Sequence, residues 1–139
     1  MYSLLFGLYE TMKEDGYHLY DWRINGRTKA ATIELCGEYA IFIDTEKINS
    51  MAEETCVVAH ELGHCETGCT HTLNSPCDLI ARHENRANKW AIHHILPAEE
   101  IKKAMRDGYT TTWQLAEHFD LTEEFIRLAI KVYQSEELL

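Results

Sequence analysis

His60-Glu61-Leu62-Gly63-His64 is the stretch on which the reading of this chain turns. It lies inside a helical run with clear ends: Ser50 precedes Glu53 by three residues, the spacing of a capping box, and Gly68 can stop the helix after about Glu66. Positions i and i+4 share a helix face, so His60 and His64 can aim both imidazoles at one ion. Glu61, one step round, then flanks the remaining coordination position.

A catalytic zinc needs three protein ligands and one open position, so the pair demands a third donor from another element. Glu84 is the best candidate: twenty residues beyond His64, near the middle of a second long helix, it can return antiparallel against the first. Asn88 follows Glu84 at i+4, where its amide oxygen can accept the N–H of a ligating imidazole. Gly63 costs about 1 kcal/mol inside a helix relative to Ala, which is explained either by close approach of substrate or a neighbouring element, or by simple tolerance.

Outward from this centre, Leu5, Leu8, Tyr9 and Met12 form one face of an N-terminal helix over residues 2–14, closed at Gly16. Ala31, Ile33 and Leu35 alternate with Thr32 and Glu34 as in a strand, Tyr39 to Ile43 is continuously apolar, and Cys36-Gly37-Glu38 reads as a tight hairpin between them. Downstream, Asp78 is placed to cap the second long helix, which ends before Pro97. A third helix follows from about Ala98 to Asp107. Thr111 with Gln114 opens a short helix to Phe119, and Thr122 a last one to about Gln134. The expected fold class is α+β: a small sheet containing an antiparallel pair, packed on the two metal-bearing helices, with a helical C-terminal segment. Residues 1–108 are expected to form the main domain, and 109–139 a helical hairpin packed on it.

A chain of 139 residues with 45% apolar residues suits one globular domain. Thirteen Lys plus Arg against 23 Asp plus Glu leave a formal charge of −10, which repels phosphate backbones and anionic lipid. No run approaches the length of a membrane-spanning helix, and Leu4 to Tyr9 lacks the flanks of a secretion signal. The expectation is a cytoplasmic protein with no nucleic-acid or membrane partner. Residues 110–139 have a spacing of apolar positions suggestive of a helix-turn-helix, but six acids oppose two bases there, a charge of −4, so a packed hairpin is the better expectation.

The two-part pattern resembles the ImmA/IrrE family of zinc metallopeptidases. In that family an H-E-x-x-H helix is followed by a helix of the form E-x-x-A-N-x-aromatic-A, then an apolar run and Pro. Here these are Glu84, Ala87, Asn88, Trp90 and Ala91, then Ile95-Leu96-Pro97. The resemblance covers about residues 30 to 97 well. It implies a zincin-like, gluzincin-type intracellular peptidase with Zn2+ held by His60, His64 and Glu84, Glu61 as general base and Asn88 behind the ligands. It also implies a specific protein substrate, such as a helix-turn-helix repressor of a phage or mobile element. The alternative is a non-hydrolytic anti-repressor or sensor that uses the same zinc scaffold to bind a protein. Arg86 and Trp90 depart from the acid and Phe that many relatives have at these places, and the cysteine-rich loop from Cys65 to Cys77 is a second departure.

Several assignments stay open. The strand at Tyr39 to Ile43 is a plausible edge for an extended substrate. The oxyanion donor is not assigned: His71, His83, His93, His94 and Tyr17 are all candidates, and spacing does not choose among them. Cys65, Cys69, His71 and Cys77 either hold a second, structural zinc, include reduced free thiols, or sense redox state. His93 and His94, at a helix end, suit its negative pole when protonated.

Overall fold

The computed structural model describes residues 3–70 and 75–139. The order is α1 (Leu4–Glu14), β1 (His18–Asp21), β2 (Ala30–Leu35), β3 (Glu38–Ile43), a 3₁₀ turn (Thr45–Lys47), α2 (Met51–Thr67), α3 (Cys77–Ile95), α4 (Ala98–Arg106), α5 (Thr112–Phe119) and α6 (Glu123–Ser135). This is the α+β class, six helices with a three-stranded mixed sheet. None of the described helices is long and apolar enough to cross a membrane.

Local chemistry sets most boundaries. Ser50 Oγ accepts the Glu53 N–H at the start of α2, and Gly68 ends it at φ 65°, a left-handed conformation that suits a residue without Cβ. Thr111 and Gln114 form the full capping box of α5, and Thr122 caps α6 through the Phe125 N–H. The expected Asp78 cap of α3 is corrected: the helix starts earlier, with Pro76 at the N-cap, and Asp78 sits in the first turn. Proline suits this boundary because no helical N–H is required of it, while its carbonyl accepts the Ile80 N–H at 3.0 Å. Asp78 there still favours the positive helix end, and it pairs with Arg82 at 3.7 Å.

The strand order is β1-β3-β2, with β1 parallel and β2 antiparallel to β3. The expectation of an edge at Tyr39 to Ile43 is therefore overturned: β3 is central, as suits its continuous apolar run, and β2 is the edge beside α2. The β2–β3 link is the two-residue turn Cys36-Gly37, with φ of 53° and 80°. β2 turns its polar alternate, Thr32, towards α2, while Ile33 and Leu35 are exposed.

One core joins the whole chain. Ile41 and Ile43 of the sheet, Val58 and Leu62 of α2, and Ile92 of α3 belong to the same buried cluster as Leu115, Ile126, Ala129 and Tyr133 of the C-terminal hairpin. Tyr133 Oη donates to the Leu96 carbonyl at 2.8 Å, fixing α6 to the end of α3.

Asp44, at the end of β3, is 3% exposed and anchors the loop that leads into β2. It accepts the Ile24 N–H at 3.0 Å and Arg23 Nη1 at 2.6 Å. The backbone bond from Ile24 first, with help from Arg23 and Lys47, outweighs burial and pulls its carboxyl down to about 2 from the usual 3.8. A depressed carboxylate contributes stability above its unfolded pKa and loses it as pH falls through the folded value. Asp44→Asn is thus expected to lower Tm at pH 7, with the gap to wild type narrowing as pH falls from 3.8 towards about 2. Thermal melts across that range check it, and a gap that does not narrow refutes it.

Candidate metal centre

The two longest helices, α2 and α3, build the centre. Gly63 is where they meet: a Cβ there would lie 2.5 Å from the Ala87 carbonyl oxygen and 3.1 Å from Ala87 Cα. Of the two explanations for this glycine, close approach of a neighbouring element is the one observed. Glu84 and Asn88 flank Ala87 on α3 and so face His60 and His64 on α2.

His60 Nε2 lies 2.7 Å from Glu84 Oε2, His64 Nε2 lies 3.2 Å from Glu84 Oε1, and the two Nε2 atoms are 3.2 Å apart. The other ring nitrogens face oxygen acceptors. His60 Nδ1 is 2.7 Å from Asn88 Oδ1, and His64 Nδ1 is 2.6 Å from the Cys69 carbonyl oxygen. Each Nδ1 therefore carries its proton, and each Nε2 lone pair can turn to the common point. Lone pairs converging from two imidazoles and a carboxylate repel unless a cation or protons lie between them. Tetrahedral zinc with bonds of about 2.0–2.1 Å would place its donors about 3.3 Å apart, close to the two 3.2 Å spacings, and the 2.7 Å His60–Glu84 pair would open slightly to admit it. The three residues fit the ion.

Charge agrees with geometry. Burial pulls both imidazoles down, but the Glu84 hydrogen bond and the Glu61 and Glu84 charges outweigh it and raise their pKa, with the Cys69 carbonyl helping at His64. Hydrogen bonds first from His60 and then from His64 hold the Glu84 carboxyl far below the usual carboxylate range.

Glu61, 6% exposed, accepts the Thr32 hydroxyl at 2.6 Å, so the edge strand fixes the orientation of its carboxylate. Two grooves meet at Glu61 and Ala30. One, of about 690 Å³, runs past Thr32, Glu34, His64 and Glu84; the other, of about 590 Å³, runs past His60, Asn88 and the start of α6.

Two contributors leave little signal in the sequence. The Cys69 carbonyl is a backbone group with no residue letter to signal it, though Gly68 turns the chain back and so brings it to His64. Thr32 lies 29 positions before Glu61 and shows in sequence only as the polar alternate of a strand. Asn88 stands where its spacing placed it.

The other described candidates do not join the centre. Tyr17 packs edge-on against Tyr39, His93 pairs with Glu136 at 2.9 Å, and His94 stacks on Trp90. Those three and His83 line neither groove at Glu61, and His71 lies outside the described residues. Among the described residues, only His60, His64 and Glu84 form a cluster of three or more potential metal donors. Cys65 and Cys69 are buried free thiols and Cys77 is exposed. Burial pushes the Cys65 thiol up to about 12; at Cys69 burial also acts upward, but the Arg86 guanidinium, 3.5 Å from the sulfur, together with Thr67 and His64 outweighs it and lowers the thiol. Arg86 thereby ties α3 to the turn whose carbonyl holds His64.

Two histidines on one helix and a glutamate from the next make up the three-donor set of the metallopeptidase class, and a further carboxylate stands beside them without joining it. Residues 10–131 match the family model of the IrrE N-terminal-like domain, peptidase M78, and the chain belongs to that family. No curated protein and no solved structure gives a match.

Proposed function

We propose that the protein is a zinc-dependent endopeptidase of the gluzincin type, acting inside the cell on one protein. His60, His64 and Glu84 hold the ion, Glu61 is the general base, and Asn88 and the Cys69 carbonyl fix the imidazoles. The observation that carries this reading is the convergence of both Nε2 atoms and Glu84 at one point, with both Nδ1 atoms facing oxygen acceptors.

Zinc held there would supply Lewis acidity and lower the pKa of a water towards about 7. Glu61 takes the proton from the attacking water and passes it to the leaving amine. Thr32 keeps that carboxylate aimed through its hydrogen bond. The free edge of β2 offers backbone groups to an extended substrate, which would lie across both grooves with its scissile bond near Glu61. The substrate suggested by the family resemblance is a helix-turn-helix repressor encoded nearby.

Metal content and co-expression test this. One zinc per chain is expected in the wild type and in the Cys65→Ser/Cys69→Ser double variant, with loss in His64→Ala and in Glu84→Ala. Zinc that follows the cysteines instead would sink the proposal. The neighbouring repressor is expected to appear as two fragments when co-expressed with the wild type. Thr32→Val is expected to keep zinc and lower the cleavage rate by about tenfold or more, since bonds to charged groups contribute about 1.5–3 kcal/mol. An unchanged rate would mean that Glu61 does not depend on Thr32.

A further inference from the structure

The groove of about 590 Å³ has a wall that the proposed chemistry does not use. It begins at Glu61 and continues between α2 and the first turns of α6. Val57 lies one helical turn before Glu61; opposite it stand Phe125 and Leu128, with Cys56 beside them. Val57, Cys56 and Leu128 are only partly buried, so their side chains have surface left to cover.

The polar groups on this wall are already partnered. Thr122 Oγ1 accepts the Phe125 N–H at 3.2 Å and points its own proton to Cys56 Sγ at 3.6 Å. Burial raises the Cys56 thiol, which keeps it uncharged at neutral pH. Lys29 and Glu53, farther out, form an ion pair with each other. A ligand group entering here would find apolar surface and little demand for hydrogen bonds, while the carboxylate of Glu124 at the rim repels acids.

We propose that α6 is a substrate-selecting element, and that its groove with α2 receives an aliphatic side chain of the residue next to the scissile bond. The C-terminal hairpin thus reads the substrate instead of merely covering the core. This inference rests on the zinc-peptidase reading, and its test separates the two.

Two zinc-binding probes are titrated into the zinc-loaded full chain by calorimetry: acetohydroxamate, and a succinyl hydroxamate bearing an isobutyl side chain. Counterparts with carboxyethyl and aminobutyl side chains are added for comparison. The isobutyl compound is expected to bind about tenfold tighter than acetohydroxamate or better, from the apolar area it buries. In Leu128→Asp that advantage is expected to vanish while acetohydroxamate affinity stays the same. Should Leu128→Asp fail to fold, Leu128→Ala is expected to cut the advantage about threefold, from the contact area it removes.

An isobutyl compound no better than acetohydroxamate overturns the pocket alone, as does an advantage that survives both substitutions. Tighter binding of the charged side chains overturns its apolar character. If no hydroxamate binds, the zinc reading falls and takes the pocket with it.

Discussion

Glu61→Gln is expected to retain one zinc per chain and the wild-type melting temperature, yet to lose cleavage by about 10²- to 10⁴-fold, the usual contribution of a positioned acid-base group. The substitution changes one oxygen to an amide nitrogen and leaves His60, His64 and Glu84 untouched. The amide oxygen that remains can still accept the Thr32 hydroxyl, which lies 2.6 Å from the Glu61 carboxylate in the wild type, so the fold around it has no reason to move. What disappears is the ability to accept a proton from water and deliver it to the amine. Following the co-expressed repressor by electrophoresis reads this directly. Cleavage at the wild-type rate would remove the general base from the mechanism. A variant that no longer cleaves but still relieves repression would point to the non-hydrolytic anti-repressor.

Gly63→Ala should have the second large effect, although it adds only one methyl group. On an isolated helix the change would stabilise by about 1 kcal/mol. Here the new Cβ would meet the Ala87 carbonyl oxygen at 2.5 Å, and its neighbours there are backbone atoms that cannot rotate away. α3 must move off, carrying Glu84 and Asn88, which flank Ala87. Overpacking of this kind costs about 1–3 kcal/mol, and displaced outer-shell partners lower metal affinity by about 10- to 100-fold. The expected outcome is a lower Tm together with at least tenfold weaker zinc binding in a chelator competition. A Tm raised above wild type with unchanged affinity would show that the helices tolerate a wider spacing.

The clustering of His60, His64 and Glu84 is legible in the sequence because its determinants are local. His60 and His64 share one turn of a helix whose start and stop are written in Ser50 and Gly68, and Glu84 with Asn88 repeats the same i, i+4 logic. What could not be read depends on long-range pairing. The order β1-β3-β2 puts His18–Asp21 parallel to a strand some twenty residues later, a choice that no local pattern encodes. Tyr39 to Ile43 is continuously apolar, which suits a strand covered on both faces but does not tell whether its lateral edges are paired, so its central place in β1-β3-β2 is not written locally. At Thr32 the period-2 pattern marked a strand correctly. The face turned to α2 nevertheless carries Thr32, whose hydroxyl donates to the Glu61 carboxylate there. Departures from the apolar-inward rule are expected at functional sites.

The joining of the grooves at Glu61 implies a division of labour along the chain. Every side chain proposed to touch the ion or move a proton lies between His60 and Asn88, on a single pair of helices locked at Gly63. The walls that would meet a substrate are supplied by separate stretches, the β2 edge and the opening turns of α6. On the proposed pocket, substitutions at Val57 or Leu128, which are only partly buried, are expected to retune preference without touching the reactive centre. A chain organised in this way can follow a changing target sequence while its chemistry stays constant.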